Sequence, residues 1–182
     1  MIRQDAGVRT AIIVNGPPGS GKSTLAVPLA TALDLPLLAK DSVKETLLDN
    51  LSFANRDDSR RLGAAAGEVL WTVLAGCPRG AVIESWLAPH IRDLVTVGLT
   101  RAGVDQMVEI WCQCRPEEAR RRYEGRIPDR HPGHFDETLV HDIDRVINTA
   151  EPLRLGPVIE VSTDHPVDLN QLLAEIAERT HS

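Results

Sequence analysis

Residues Gly16-Pro17-Pro18-Gly19-Ser20-Gly21-Lys22-Ser23 fit the pattern G-x-x-x-x-G-K-[ST], in which a glycine-rich loop binds phosphate. The loop follows 11–15, a β-branched apolar run that predicts a buried strand, and it precedes 23–35, which predicts a helix. Glycine lets a backbone wrap closely around an anion, and N–H groups at the start of a helix attract its charge. Strand, loop and helix together therefore predict a binding site for a nucleoside triphosphate.

The motif gives separate tasks to two residues at the end of the loop. Lys22 would reach the β- and γ-phosphates, and the hydroxyl of Ser23 would ligate Mg²⁺. The N–H groups of the loop and the positive end of the helix dipole would hold the phosphate oxygens. The residues expected to bind the nucleotide here are Gly16, Pro17, Pro18, Gly19, Ser20, Gly21, Lys22, Ser23 and Thr24.

Length and composition are typical of one globular domain. The chain has 182 residues, of which 42% are hydrophobic and 25% charged, so 1–182 is expected to form a single domain. The net charge of −6 argues against general affinity for nucleic acid or for an anionic membrane. Three cysteines give no disulfide framework, and no signal peptide or transmembrane segment is recognised. A cytoplasmic location is therefore expected.

Basic residues are unevenly distributed. Of the 20 basic residues only three are lysines, namely Lys22, Lys40 and Lys44, and all of them precede residue 45. Because arginine is the usual cation of this chain, each lysine is a candidate for a specific role. Six arginines are concentrated between Arg115 and Arg130, in contrast with the acidic whole.

Strand-like runs alternate with helical patterns, which predicts a parallel sheet with crossover helices. The expected strands are 11–15, 36–40, 81–85, 106–113 and 158–162. The expected helices are 23–35, 42–50, 58–75, 116–123, 136–150 and 168–179. Because about forty residues separate the second and third strands, 42–80 is expected to form a helical region that binds an acceptor.

Ligands of parallel sheets bind beyond the carboxyl ends of the strands. The sequence places Asp41 there, and its carboxylate is expected to bind an acceptor hydroxyl and aim the oxygen at the γ-phosphorus. The alternative is that Asp41 caps the helix that starts at Ser42. Since Ser42 with Glu45 already forms a capping box, the functional interpretation is preferred.

Glu84 ends the apolar run 81–84 at the same rim of the sheet. An acid in this position either holds a water on Mg²⁺ or binds the acceptor. The sequence leaves both roles open, and a purely structural role as well.

Arg122, Arg126 and Arg130 follow the fourth strand, in a segment rich in proline and charge. Such a segment can close over the triphosphate, exclude water and neutralise charge on the transferring group. An exposed helix with ordinary salt bridges is the alternative. We interpret 120–135 as a lid in which Arg126 and Arg130 act in catalysis.

Together these motifs resemble the nucleotide-kinase-like branch of P-loop proteins. More narrowly, the chain is similar to the small-molecule kinases that include chloramphenicol phosphotransferase, gluconate and shikimate kinases and zeta-toxin-like kinases. Lys40-Asp41-Ser42-Val43-Lys44-Glu45 looks like their segment with the acceptor-binding aspartate. Arg122-x-x-Gly125-Arg126 is similar to the lid signature of adenylate kinases, in which the first arginine packs against adenine and the second contacts the transferred phosphoryl group. Thr163 falls where such kinases hold the adenine edge.

The resemblance implies an α/β fold of three layers, with a five-stranded parallel sheet in the order 2-3-1-4-5, helices on both faces and a lid segment. It also implies ATP and Mg²⁺ as cofactors, with Arg122 and Thr163 at the base and Ser23 and Glu84 near the metal. The chain departs from the pattern at Glu84, where aspartate is usual, and in 42–80, which matches no substrate signature.

The expected function is transfer of the γ-phosphoryl group of ATP to a hydroxyl of a small-molecule acceptor. The expected assembly is a monomer or homodimer without nucleic acid or membrane partners. A kinase for nucleotides or nucleic-acid ends is one alternative, although 3% aromatic residues are few for stacking bases. A nucleotide-gated binding or regulatory protein without turnover is another.

Overall fold

The predicted strands form one parallel sheet in the order β2-β3-β1-β4-β5, which confirms the expected topology. The structure, a computed structural model, describes residues 8–135 and 140–180. Its strands are β1 (Thr10–Asn15), β2 (Leu37–Ala39), β3 (Gly80–Glu84), β4 (Gln106–Gln113) and β5 (Val158–Ser162).

Helices lie on both faces of this sheet. In the described residues they are α1 (Lys22–Leu33), α2 (Lys40–Asn50), α3 (Arg56–Ala75), α4 (Arg92–Arg101), α5 (Pro116–Arg126), α6 (Ile143–Asn148) and α7 (Leu169–Thr180). Short 3₁₀ turns cover Pro89–Ile91, Ile127–Asp129, Pro132–His134 and Val140–Asp142. The first four residues of the helix expected over 136–150 lie outside the described residues.

Two apolar layers sandwich the sheet because side chains alternate along each strand. Ile12 and Val14 of β1 face the layer that contains α1 and α7. Ala11 and Ile13 face the layer that contains α3 and α4. In β1 and β3 nearly all residues are buried, whichever layer their side chains face, which is why these two strands read as continuous apolar runs.

Helix α2 begins two residues earlier than the sequence predicts. Its N-cap is Ala39, which makes no side-chain cap, so the capping box of Ser42 with Glu45 is wrong. Asp41 lies in the first turn of the helix and does not cap it either. The expected strand 36–40 accordingly ends one residue early, at Ala39.

Helix α4 is absent from the sequence-based assignment. Its sequence contains two valines, two threonines and a glycine, which are weak helix formers, so propensity gives little signal. Packing accounts for the helix instead: a Cβ on Gly98 would lie 2.6 Å from the ring of Trp71 on α3. Tertiary contact therefore selects both the helix and its glycine.

None of the helices in the described part of the chain is long and apolar enough to span a bilayer.

Candidate active site

The loop between β1 and α1 adopts a conformation that depends on glycine. Gly19 has a φ of 79°, and a Cβ there would lie 1.9 Å from the carbonyl oxygen of Ala119 on α5. A Cβ on Gly16 would lie 2.4 Å from the carbonyl oxygen of Cys112. The loop is therefore pressed against β4 and α5 at positions where no side chain fits.

A buried polar network holds the start of this loop. The side-chain oxygen of Asn15 accepts hydrogen bonds from the N–H groups of Gly16 (2.8 Å) and Leu87 (2.9 Å). Its amide group donates to the carboxylate of Glu109 at 2.8 Å. Glu109 is fully buried on β4, and it also accepts from the backbone N–H groups of Leu153 and Arg154, each at 2.9 Å. Asn15 and Glu109 together join β1, β4 and two loops, and so fix the base of the phosphate loop.

Lys22, Ser23 and Glu84 form a compact charged group at the end of the loop. The hydroxyl of Ser23 donates to Glu84 Oε1 at 3.0 Å, and the Glu84 side chain is nearly buried. Burial raises the pKa of Glu84 against the opposing influence of the Lys22 charge. Burial lowers the pKa of Lys22, although Glu84 and Asp41 partly offset this effect. Lys22 and Glu84 therefore each favour the charged form of the other.

Asp41 faces the same charges from the first turn of α2. Its side chain is 57% exposed, and Arg130 Nη2 donates to its Oδ2 at 3.2 Å. Desolvation opposes ionisation of Asp41, but the basic groups near it, led by His134, Arg130 and Lys22, outweigh that effect and lower its pKa. Asp41 is thus an ionised carboxylate at neutral pH.

The segment after α5 contacts the two helices of the acceptor region. Arg130 Nη2 approaches His134 Nδ1 at 3.1 Å, and His134 Nε2 approaches Glu45 Oε1 at 2.8 Å. The ring of His131 lies 3.2 Å from the carboxylate of Asp49. The hydroxyl of Ser59 on α3 donates to a backbone carbonyl of the same segment. Polar contacts therefore tie the expected lid to α2 and α3, and its response to nucleotide remains a prediction.

Arg122 and Thr163 meet on the opposite side of the loop. Arg122 donates to the hydroxyl (3.3 Å) and the carbonyl (3.0 Å) of Thr163, and it pairs with Glu118 at 2.6 Å. Hydrogen bonds from Arg121 and Arg122 lower the pKa of Glu118 to about 2. The Thr163 hydroxyl also donates to the Ser20 carbonyl at 2.7 Å, so it links the phosphate loop to α5.

A cavity of about 440 Å³ opens beside this pair. Leu25, Pro28 and Val167 supply apolar surface, while Thr24, Arg122 and Thr163 supply polar groups. The other lining residues are Gly21, Asp164, His165, Pro166 and Leu169. Pro28 lies within α1, where proline is costly, and here it forms part of the cavity wall. An apolar slot next to a phosphate loop is suited to a nucleotide base.

A second cavity, of about 570 Å³, lies between α2, α3, α4 and the end of β3. Asp41 lies on its rim together with Lys40 and Lys44. Trp71 and Leu70 form part of its apolar floor. We call it the acceptor cavity below.

Most residues singled out from the sequence converge on this region. Lys22, Ser23, Asp41 and Glu84 form one charged cluster, and the charge of Arg126 reaches Lys22 and Glu84 although its side chain is exposed. Arg130 joins the cluster through Asp41, whereas Arg122 and Thr163 lie at the first cavity. The loop residues Gly16, Pro17, Pro18, Gly19, Ser20 and Gly21 are arranged as the motif requires, and the roles assigned to individual residues remain predictions.

Several residues of the site were missed in the sequence. Glu109 was detectable, because a carboxylate within the apolar run of β4 requires buried partners. His134 has no local signal, because its contact with Glu45 on α2 spans 89 positions of the chain. Trp71 carried no signal beyond an apolar position on a helix.

Comparisons with known proteins agree with this geometry. Residues 12–154 match the family described as "AAA domain". A candidate kinase of Chloroflexus aurantiacus, solved by crystallography, is 32% identical with a TM-score of 0.84, covering 94% of this chain and 98% of its own. The APS kinase of Mycobacterium tuberculosis, solved with AMPPNP and APS, is 19% identical with a TM-score of 0.58, covering 96% and 98%. A gluconokinase of Sinorhizobium meliloti is 20% identical with a TM-score of 0.52, covering 98% of both chains. No curated protein matches the sequence.

Proposed function

The chain belongs to the AAA domain family and has the fold of the P-loop kinases, and from this premise we propose that it transfers the γ-phosphoryl group of ATP to a hydroxyl group of a small-molecule acceptor. The observation that carries the proposal is the meeting of Lys22 and Asp41. Lys22 ends the phosphate loop and Asp41 lies on the rim of the acceptor cavity, yet each charge alters the pKa of the other residue. A phosphoryl donor in one cavity and an acceptor in the other would therefore meet at these two side chains.

In the proposed reaction, Asp41 accepts the hydrogen bond of the acceptor hydroxyl and points its oxygen at the γ-phosphorus. A new O–P bond forms, the bond to the β–γ bridging oxygen breaks, and ADP leaves with that electron pair. The hydroxyl proton passes to Asp41 late in transfer and then to water. The lowered pKa of Asp41 makes it a weak base, which suits a loose transition state in which positioning matters most.

Cationic side chains would stabilise the charge that develops on the transferring group. Lys22 approaches from the phosphate loop, Arg126 from the last turn of α5 and Arg130 from the segment after α5. Groups already held in a water-poor site act more strongly than the same charges in water. The contact of Arg130 with Asp41 supports a role for this arginine on the acceptor side.

The residues present fit a magnesium ion. The hydroxyl of Ser23 and the carboxylate of Glu84 are hard oxygen donors held 3.0 Å apart. No cluster of three or more metal-binding side chains is found in the part of the chain that the structure describes, and Mg²⁺ commonly uses one or two protein ligands together with waters and phosphates. When bound, the ion would neutralise charge on the β- and γ-phosphates. The contact of Glu84 with Ser23 therefore supports a role of Glu84 near the metal rather than in acceptor binding.

The phosphate loop is also suited to ATP. Ser20 Oγ is buried within it and has no hydrogen-bond partner among the described residues. A buried hydroxyl without a partner is unfavourable, and a phosphate group held by the loop would relieve that cost.

Steady-state ATP consumption across a panel of small alcohols tests the proposal. We expect ADP formation that depends on one class of alcohol, with stoichiometric appearance of its phosphate ester. The Lys22→Ala variant serves as the inactive control. Hydrolysis that is indifferent to every acceptor, or nucleotide binding without any turnover, would favour a regulatory protein instead.

A further inference from the structure

The acceptor cavity has walls of unlike chemistry. Its floor is apolar, with Leu70, Trp71 and Ile83 nearly or fully buried. Its rim carries Lys40 and Lys44, which lie one helical turn apart on α2. A ligand that fits both surfaces needs a carbon skeleton as well as a polar group.

The wall that α3 contributes is kept open by small residues. A Cβ on Gly67 would meet nothing within 4 Å, so its lack of a side chain is not explained by packing against a neighbour. A Cβ on Gly63 would lie 3.6 Å from Cε of Lys44, so the stem of this lysine runs along the helix. Glycine within a helix is less favourable than alanine. In a cavity-lining wall that cost is consistent with leaving room for a ligand.

The charges that line the cavity leave a positive surplus. Each carboxylate there has an arginine partner: Asp41 pairs with Arg130 at 3.2 Å, and Glu68 pairs with Arg101 at 2.5 Å. Lys40 forms no hydrogen bond or salt bridge with the residues that the structure describes. Two of the three lysines of the whole chain thus line one cavity, and the third is Lys22 in the phosphate loop.

From this arrangement we propose that the acceptor is an alcohol that carries an anionic group, a carboxylate or a phosphate, on an apolar skeleton. The inference rests on the proposed function and specifies its substrate class. Lys40 and Lys44 would bind the anionic group while Asp41 binds the hydroxyl that is phosphorylated. Because these residues span about one turn of helix, roughly 5.4 Å, the two groups of the acceptor should lie close together.

The experiment uses matched pairs of alcohols in the presence of ATP and Mg²⁺. Hydroxy acids are paired with their methyl esters, and phosphorylated alcohols with their unphosphorylated counterparts, so that the two arms separate carboxylate from phosphate recognition. We expect kcat/KM to favour the anionic member by about 10- to 100-fold, the usual range for a hydrogen bond to a charged group. Saturation-transfer NMR on the same pairs reports binding without turnover.

Variants assign the preference to the cavity. In Lys40→Gln and Lys44→Gln the anionic member should lose about 10-fold or more in affinity while its neutral partner changes little. Arg56→Gln removes the same charge from an exposed site on α3 outside the cavity and should keep the full preference. Thermal unfolding of each variant checks that the fold is retained.

The outcomes separate this inference from the proposed function. Equal turnover of anionic and neutral alcohols would overturn the inference and leave the kinase assignment intact. Lysine-dependent binding of anionic alcohols without any phosphoryl transfer would support the inference and refute the kinase assignment. Failure of every anionic member to bind, or binding unaffected by both lysine variants, would also overturn the inference.

Discussion

The phosphate loop and the acceptor cavity meet at Asp41, yet their side chains are held in different ways. The loop stands on a network in which Glu109 is fully buried and accepts three hydrogen bonds of 2.8 to 2.9 Å. The acceptor cavity is bordered by residues that are half-buried or exposed, such as Lys40, Lys44 and Asp41. The segment after α5 contacts α2 and α3 through pairs of ionisable side chains and a hydrogen bond from Ser59 to a backbone carbonyl, rather than through backbone ladders.

This difference separates a fixed half of the site from an adaptable half. In the proposed function a rigid cradle holds the triphosphate, and side chains on α2 and α3 recognise the acceptor. Changes in the fixed half should therefore damage chemistry or stability, and changes in the adaptable half should alter acceptor use.

The strongest test of the fixed half is Lys22→Ala. In the proposed function Lys22 is the cation that acts on the γ-phosphate, and its side chain is nearly buried. Removing it should lower the transfer rate by on the order of 10²–10³ or more while leaving the fold intact. The measurement is kcat with saturating ATP, together with the melting temperature. As a control, Lys40→Ala removes the same charge from the adaptable half and should instead raise KM for the acceptor. Near wild-type turnover in Lys22→Ala would contradict the kinase assignment.

Asp41→Asn tests the point where the two halves meet. The amide is nearly isosteric but cannot take the proton, so transfer should fall by on the order of 10² while ATP affinity stays within a few-fold. Because α2 starts at Lys40, Asp41 has no capping role that the variant would disturb. Measuring ATP affinity, Mg²⁺ dependence and transfer rate on one variant separates acceptor binding from a role near the metal. Full transfer activity would remove Asp41 from the site.

Glu109→Gln tests whether the buried network supports the fixed half. Glutamine replaces one carboxylate oxygen with an NH₂ group, which would face an N–H donor that now lacks an acceptor. The variant should lose about 1–3 kcal/mol of unfolding free energy. In a chain of this length each kcal/mol lowers Tm by about 2–4 °C. The matched control is Glu160→Gln, at an exposed position of β5, which should unfold like the wild type. Equal Tm values for the two variants would show that the network contributes little.

The same division explains what the sequence could predict. The phosphate loop is a local motif and the buried strands are local apolar runs, so the strands and the positions of Lys22 and Ser23 follow from nearby residues, whereas the sheet order followed from the resemblance to P-loop kinases. The acceptor half depends on contacts between distant positions, for example Ser59 with residue 133 and Arg130 with Asp41. No local feature of the sequence indicates that Gly98 packs against the ring of Trp71, and so α4 was missed. The start of α2 was misplaced because a plausible capping pair, Ser42 with Glu45, lay inside the helix.

The smallest expected effect concerns His134, which ties the segment after α5 to the adaptable half. Arg130 Nη2 can only donate, so His134 Nδ1 accepts from it, and the neutral ring keeps its proton on Nε2 for Glu45. Protonation would place a second N–H against Arg130. Burial first, and then Arg130, hold the pKa of His134 below its usual value.

The sign of the pH dependence follows from that depressed pKa. Below about pH 6.5 the unfolded chain binds a proton at this histidine more readily than the folded chain does, so acidification favours unfolding. The contribution of His134 to stability is thus present above its ordinary pKa and is lost as the pH falls through its lower folded value.

Urea unfolding between about pH 5 and pH 8 should show a shallower loss of stability on acidification in His134→Gln than in the wild type. The glutamine amide can still donate to Glu45 but does not titrate. His90→Gln, at an exposed position, should keep the wild-type slope; identical slopes for the wild type and His134→Gln would show that this contact does not sense pH.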